Sequence, residues 1–398
     1  MKISIAITLL LLINIITGNE NTKNEDELYK KAIDLSQKFI IIDTHIDVPY
    51  RIINRWEDIS QKTKSGHFDY VRAKKGGLNA AFMSIYIPSS NEGTGKAKPL
   101  AVSLINAVEK FQNNWPDKFA VAVSTEDIKT QFDKGLISLP MGMENGSPIE
   151  GDLSNIKYFY NRGIRYITLC HSKDNHICDS SYDTSRTWRG LSPFGKKVVE
   201  EMNRLGIMVD VSHVSDDAFY DVIKTSKVPV IASHSSCRVF TPGFERNMSD
   251  EMIKAIAKNG GIIQITFGTE FLSGEYRSRI RPAKKYLKEN KISEWSSIGE
   301  SYLNNFIKEN NIPISSAKDI ANHIDHVVKL VGINFVGLGS DFDGVNFLPS
   351  DVQDVSYYPN IIFELLKLGY SDDDIQKICS ENFLRVWKQN EIAAKILK

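Results

Sequence analysis

The residues best equipped for chemistry sit in short polar groups, each closing an apolar run. Phe39 to Arg51 reads FIIIDTHIDVPYR, four apolar residues leading into Asp43, His45 and Asp47. Side chains alternate along a strand, so His45 and Asp47 point the same way. An imidazole nitrogen and a carboxylate oxygen on one face make half of a divalent-metal site. Alone, such a triplet is more often a hydrogen-bonded turn. Other apolar runs end alike, however. Glu144 closes LISLPMGME (136–144), His171 closes GIRYITLCH (163–171), His213 closes GIMVDVSH (206–213) and His234 closes VPVIASH (228–234). Asp341 and Asp343 stand in FVGLGSDFDG (335–344).

Three histidines and two carboxylates exceed the three protein ligands of a single catalytic zinc, so the count suggests two metals. Glu144 stands alone on its run and has two oxygens, which suits a bridging ligand. Two ions ~3.5–4 Å apart can hold a hydroxide at neutral pH, ready for a carbonyl or phosphoryl group. Imidazole with carboxylate favours zinc, with manganese or iron as alternatives. Each residue also has a plain structural role open to it. His213 could cap the following helix, His234 could hydrogen-bond in a turn, and Glu144 could cap a helix start. Four of the eight histidines lie at strand ends; His67, His176, His323 and His326 do not. His323 and His326 fall on a predicted helix, ANHIDHVVKLVG, and are expected to be structural.

Eight apolar runs carry these residues, the remaining ones being LNAAFMSIYI (78–87) and GGIIQITF (260–267). Helical patterns separate most of them, over 99–115 and 153–162 and in SPFGKKVVEEMNRL, where Ser192 and Pro193 read as N-cap and first turn. Strand–helix alternation implies a parallel sheet. Eight repeats in one chain predict a closed (β/α)8 TIM-type barrel with its metal site at the C-terminal mouth of the strands. Residues 271–312 are longer and more charged than a connection needs and are expected to form an inserted helical excursion over that mouth. Lys2 followed by the apolar run Ile5 to Ile16 predicts a signal peptide over 1–18, export, and a single barrel domain over 19–398. Lys plus Arg equals Asp plus Glu at 49 each, which gives no reason to expect nucleic acid as a partner. Four cysteines are too few for a disulfide scaffold. The C-terminus ends EIAAKILK, so no lipid anchor is expected.

The motifs DTHIDVP, GMENGSPIEGD, GIRYITLCHS, LSPFGKKVVEEMNRLGIMVDVSHVS, SHSS, ERN and GSDFDG together resemble the membrane (renal) dipeptidase family of binuclear zinc metallopeptidases. They run in the family's order from about residue 39 to about residue 388. The resemblance implies a (β/α)8 barrel that holds two Zn2+ ions and cleaves dipeptides with a free C-terminal carboxylate, L,D-dipeptides included, by attack of a metal-bridging hydroxide. Carried over by motif, His45 and Asp47 are implied ligands of one zinc, His213 and His234 of the other, and Glu144 the bridge. His171 is implied to contact substrate and steady the oxyanion, Arg246 to bind the substrate carboxylate, and Asp341 to bind substrate and transfer the proton. The local sequence alone leaves Asp341 and Asp343 equivalent. Lys173 stands near where the mammalian enzymes have a cysteine, so that disulfide is not expected. Small dipeptides are the expected partners, and a homodimer is compatible with the sequence. Two alternatives stay open: another metal-dependent barrel amidohydrolase, or an inactive binding protein on the same scaffold. The former typically bridges its metals with a carbamylated lysine, and the strand ends here offer none.

Overall fold

The eight apolar runs form parallel strands, each paired with its neighbour in the chain. The structure is a computed structural model that describes residues 25–397; the expected signal segment lies outside them. The barrel strands are β1 (Ile41–Ile46), β2 (Leu78–Tyr86), β3 (Ile137–Ser138 and Met141–Glu144), β4 (Ile164–Thr168), β5 (Met208–Asp210), β6 (Ile231–Ser235), β7 (Ile262–Ile265) and β8 (Val336–Leu338), and a further two-residue strand, Phe119–Ala120, pairs with Ile137–Ser138. Nearly every strand residue is buried, as a parallel sheet covered on both faces requires. Both pieces of β3 pair with β2. The break falls at Leu139–Pro140, where proline has no N–H for the ladder.

The two ends of this order meet at the mouth. Ile46 bridges Phe342 in parallel; Asp47 N–H donates to Phe342 O at 2.8 Å and Asp341 N–H to His45 O at 3.0 Å. Just below, the Asp43 carboxylate accepts from the backbone N–H of His45 (3.0 Å) and Ser340 (2.9 Å). These contacts join β1 to the segment after β8, and the expected (β/α)8 architecture is the observed one.

Helix 193–205 begins as the sequence predicts, with Ser192 accepting from Gly195 N–H and Pro193 in the first turn. The β1–β2 connection, which reads as a loop, contains helices Val48–Asn54 and Tyr70–Gly76. Seven residues are too few for a helical period to show in a sequence. Within the expected excursion, helices Gly274–Glu289 and Ser297–Glu309 share a small core of Tyr276, Ile280, Ala283, Leu287 and Leu303.

Inward-facing Ile42, Phe82, Tyr166, Met208, Ile231 and Ile262 fill the barrel interior, and Phe383, Val386 and Trp387 of helix Asn382–Ile396 close it. Trp387 is fully buried, its ring 5.4 Å from that of Phe82. Trp387→Ala is expected to lower the unfolding free energy in urea by about 3–5 kcal/mol, the usual range for emptying such a site.

Candidate metal centre and active site

The polar strand ends converge on one carboxylate. Glu144, the last residue of β3, is 3% exposed. Its Oε1 lies 3.1 Å from His213 Nε2, 3.5 Å from His234 Nε2 and 3.6 Å from His171 Nε2. Its Oε2 lies 3.3 Å from His45 Nε2, which is 3.5 Å from Asp47 Oδ2 and 4.0 Å from Asp341 Oδ1. His213 and Asp341 follow their strands in the left-handed region, at φ 70° and 64°. Non-glycine residues rarely adopt that conformation, and here it turns both side chains over the mouth.

The charges fit a cation. Burial alone would raise Glu144, but His45, His171, His213 and His234 hold its carboxyl well below the usual range. Burial opposes charge on His45, yet Tyr166 and the carboxylates of Glu144 and Asp47 push it well above an ordinary imidazole. The field that favours a proton on His45 favours a metal ion in its place. His213 and His234 are pushed the other way, mainly by burial, so their nitrogens stay free to ligate. Three donor groups have their atoms within 4.8 Å of one another: His45–Glu144–His234, Glu144–His171–His213, and His45–Asp47–Asp341. His45 Nε2 and Asp47 Oδ1 are buried with no hydrogen-bond partner among the described residues. Imidazole and carboxylate donors around such orphaned atoms fit a divalent metal centre. His171 lies as near Glu144 as His234 does, so distance alone does not separate it from the ligands.

The two acids of DFDG separate cleanly. Asp343 accepts from Arg51 Nε at 2.7 Å and from His67 N–H at 2.6 Å, and its own N–H donates to His67 Nδ1 at 2.9 Å. Its carboxylate is thereby committed to the fold. Asp341 faces His45 and Asp47 instead. Burial, with Asp47 and Glu144 beside it, raises its carboxyl well above the usual range despite His45 and Arg246.

Arg246 departs from the look of its loop, GFERNMSD, where a charge is normally solvated. It is 3% exposed. Nη1 donates to Ser235 Oγ at 3.0 Å and Nη2 to the His234 carbonyl at 2.8 Å, while Nε has no partner. No acidic side chain pairs with it among the described residues. Above the centre opens a cavity of about 870 Å3, with Asp47, Glu144, His171, His213 and Asp341 in its wall and Tyr276, Lys284 and Trp295 of the helical excursion opposite. Tyr86 and Tyr182 also line it. Aromatic residues in loops or strands carry no positional signal in a sequence, so nothing there singles these two out.

A family profile described as membrane dipeptidase (peptidase family M19) matches residues 29–398. The chain belongs to the membrane dipeptidase family. An uncharacterized dipeptidase of Schizosaccharomyces pombe is 30% identical over 378 residues, covering 91% of this chain and 83% of the relative. Among solved structures, the probable dipeptidase PvdM of Pseudomonas aeruginosa superposes with a TM-score of 0.81 at 27% identity, covering 92% of this chain and 99% of that one. A metallopeptidase of Rhodobacter sphaeroides, liganded with a phosphinate mimic of L-Ala-D-Ala, has the same fold (TM-score 0.73, 23% identity, 88% and 99% covered). As a family M19 metallopeptidase, the chain is an enzyme whose class requires metal ions.

Four histidines of the chain lie outside the centre. His67 serves Asp343, as above; His176 Nδ1 lies 2.7 Å from Glu92 Oε1, and His326 Nε2 lies 2.8 Å from Asp250 Oδ1. His323 is buried between Cys237 N–H (3.0 Å to Nδ1) and the Leu272 carbonyl (3.1 Å from Nε2). Burial pushes its pKa down to about 4. Its folded value is thus below its unfolded value of about 6.5, so the unfolded chain takes up the proton first. The His323 contribution to stability is full above pH ~6.5 and is lost as pH falls toward about 4. Urea unfolding across that window should show stability falling with pH, and His323→Asn should flatten the slope relative to the parent. An unchanged slope would contradict the assignment.

Proposed function

We propose that this protein is a dizinc dipeptidase acting on dipeptides with a free C-terminal carboxylate, L,D-dipeptides included. The observation that carries the reading is Arg246, buried without a carboxylate partner beside a carboxylate–imidazole centre. The donor set favours zinc, and the sharing of Glu144 between donor groups on either side supports two ions with Glu144 as bridge. His45 and Asp47 would hold one ion, His213 and His234 the other. Bound divalent ions at such a centre supply Lewis acidity and lower the pKa of water.

The chain's own residues do the rest. Arg246 is tethered to β6 through two of its N–H groups, leaving Nε–H and the outer N–H groups for a substrate carboxylate, a charge-assisted and geometrically selective contact. His171 sits at the cavity wall and would donate to the developing oxyanion; removal of one such donor costs about 3–4 kcal/mol. Asp341, in the cavity wall with its Oδ1 4.0 Å from His45 Nε2, would take a proton from the nucleophile and pass it to the leaving amine. The Rhodobacter sphaeroides protein with its L-Ala-D-Ala mimic is consistent with the L,D part of the reading. The apolar N-terminal segment supports export.

Activity on L,L- and L,D-dipeptides should vanish with chelator and return with Zn2+. Absence of turnover on the whole panel would leave a binding protein on this scaffold as the better account. Lysine at position 246 keeps the charge and loses the fork. Arg246→Lys should lower kcat/KM for dipeptides by roughly ten- to a hundredfold, about 1.4–2.8 kcal/mol, and do far less to a dipeptide amide. Equal losses on acid and amide would contradict the carboxylate role.

A further inference from the structure

The histidines facing Glu144 differ in what their other nitrogen meets. His45 Nδ1 lies 2.8 Å from Tyr166 Oη, and that hydroxyl donates to the Thr44 carbonyl at 3.0 Å. A carbonyl only accepts, so the phenolic proton is committed there and a lone pair faces His45. His234 Nδ1 lies 2.8 Å from Ser233 Oγ, which donates to Asp210 Oδ2 at 2.6 Å. Asp210 also accepts from Thr168 Oγ1 (2.5 Å) and from the N–H of Ser212 (3.0 Å) and Ser233 (2.8 Å), acting as acceptor throughout. The Ser233 proton is therefore committed as well, and its lone pair faces His234. Nδ1 of His171 and of His213, by contrast, is buried with no partner among the described residues.

We infer that Tyr166, and Ser233 held by Asp210, are positioning residues that keep the protons of His45 and His234 on Nδ1 and so present both Nε2 lone pairs to metal. The inference rests on the metal-centre reading above. Each proposed ion position then has one histidine whose ring orientation and tautomer are fixed in advance, an arrangement that raises ligand affinity. The fold makes room for it. Tyr166 leaves β4 inside the barrel and crosses to β1, passing over Gly142 of β3, where a Cβ would stand 1.9 Å from the ring. That explains a glycine two residues before Glu144 better than backbone freedom does, because Gly142 has an ordinary strand conformation.

The test is Zn2+ affinity by competition with a chromogenic chelator, together with thermal unfolding of apo and Zn2+-loaded protein. Tyr166→Phe and Ser233→Ala are expected to weaken Zn2+ binding by about ten- to a hundredfold and to shrink the Zn2+-induced rise in Tm. Ser233→Thr, which keeps the hydroxyl, should stay within a fewfold of the parent. Gly142→Ala should reproduce the Tyr166→Phe loss by steric means, without removing a polar group. Equal drops of apo and loaded Tm with unchanged affinity would make both residues merely structural and overturn the inference alone. A parent protein that binds no Zn2+ would overturn the metal-centre reading and the inference with it.

Discussion

A carboxylate buried among imidazoles is the constraint around which this barrel is arranged. Glu144 reaches four histidine nitrogens within 3.6 Å while nearly shut off from water. Removing a carboxylate from water costs several kcal/mol, and neutral imidazoles recover only part of that. A divalent cation recovers far more, and it does so for Asp47 and Asp341 as well. The centre thereby ties together the ends of β1, β3, β5 and β6 and the segment after β8. The hydrogen bonds that close the barrel, between Asp47 and Phe342 and between Asp341 and His45, lie within the same few residues.

The rest of the molecule divides its labour along the barrel axis. The lower interior is apolar and sealed by Trp387 and Phe383, where rigidity is useful and no chemistry occurs. Toward the mouth the inward side chains become polar, and several are held by partners. Asp43 spans β1 and Ser340, Asp210 spans β4, β5 and β6, and Arg246 is anchored on β6. Over the mouth residues 274–309 place Tyr276 and Lys284, with Trp295 from the turn between the two helices, in the cavity lining, giving the cavity a wall that the barrel itself does not supply. Binding groups set on rigid strands beneath an added wall suit a site that must locate a small substrate accurately.

Most of the scaffold is legible because buried parallel strands are written as largely apolar runs, and each of the eight barrel strands falls in one; the two-residue strand Phe119–Ala120 is too short to show. The site was legible for a related reason: five metal-binding types at strand ends follow a geometric rule of barrels, and the motif resemblance then assigned each a role. What the local sequence leaves open, and the resemblance alone marks for Asp341 and Arg246, depends on contacts distant in sequence. Asp341 and Asp343 look alike until Arg51 and His67 are seen to occupy Asp343. Arg246 reads as a loop charge until its burial is seen. Tyr166 reads as a core aromatic, since nothing near it in sequence shows that its hydroxyl lies beside His45. The short helices before β2 escaped because seven residues hold too little periodicity.

The central claim is that Glu144 serves two ions at once. The direct measurement is elemental analysis of folded Glu144→Gln protein purified with Zn2+ present, beside the parent. Loss of a bridging ligand weakens both positions together, so metal content should fall from about two ions per chain to fewer than one, with far-ultraviolet circular dichroism unchanged. A Glu144→Gln protein that keeps its full complement of zinc, or loses one ion cleanly and binds the other as before, would contradict the account.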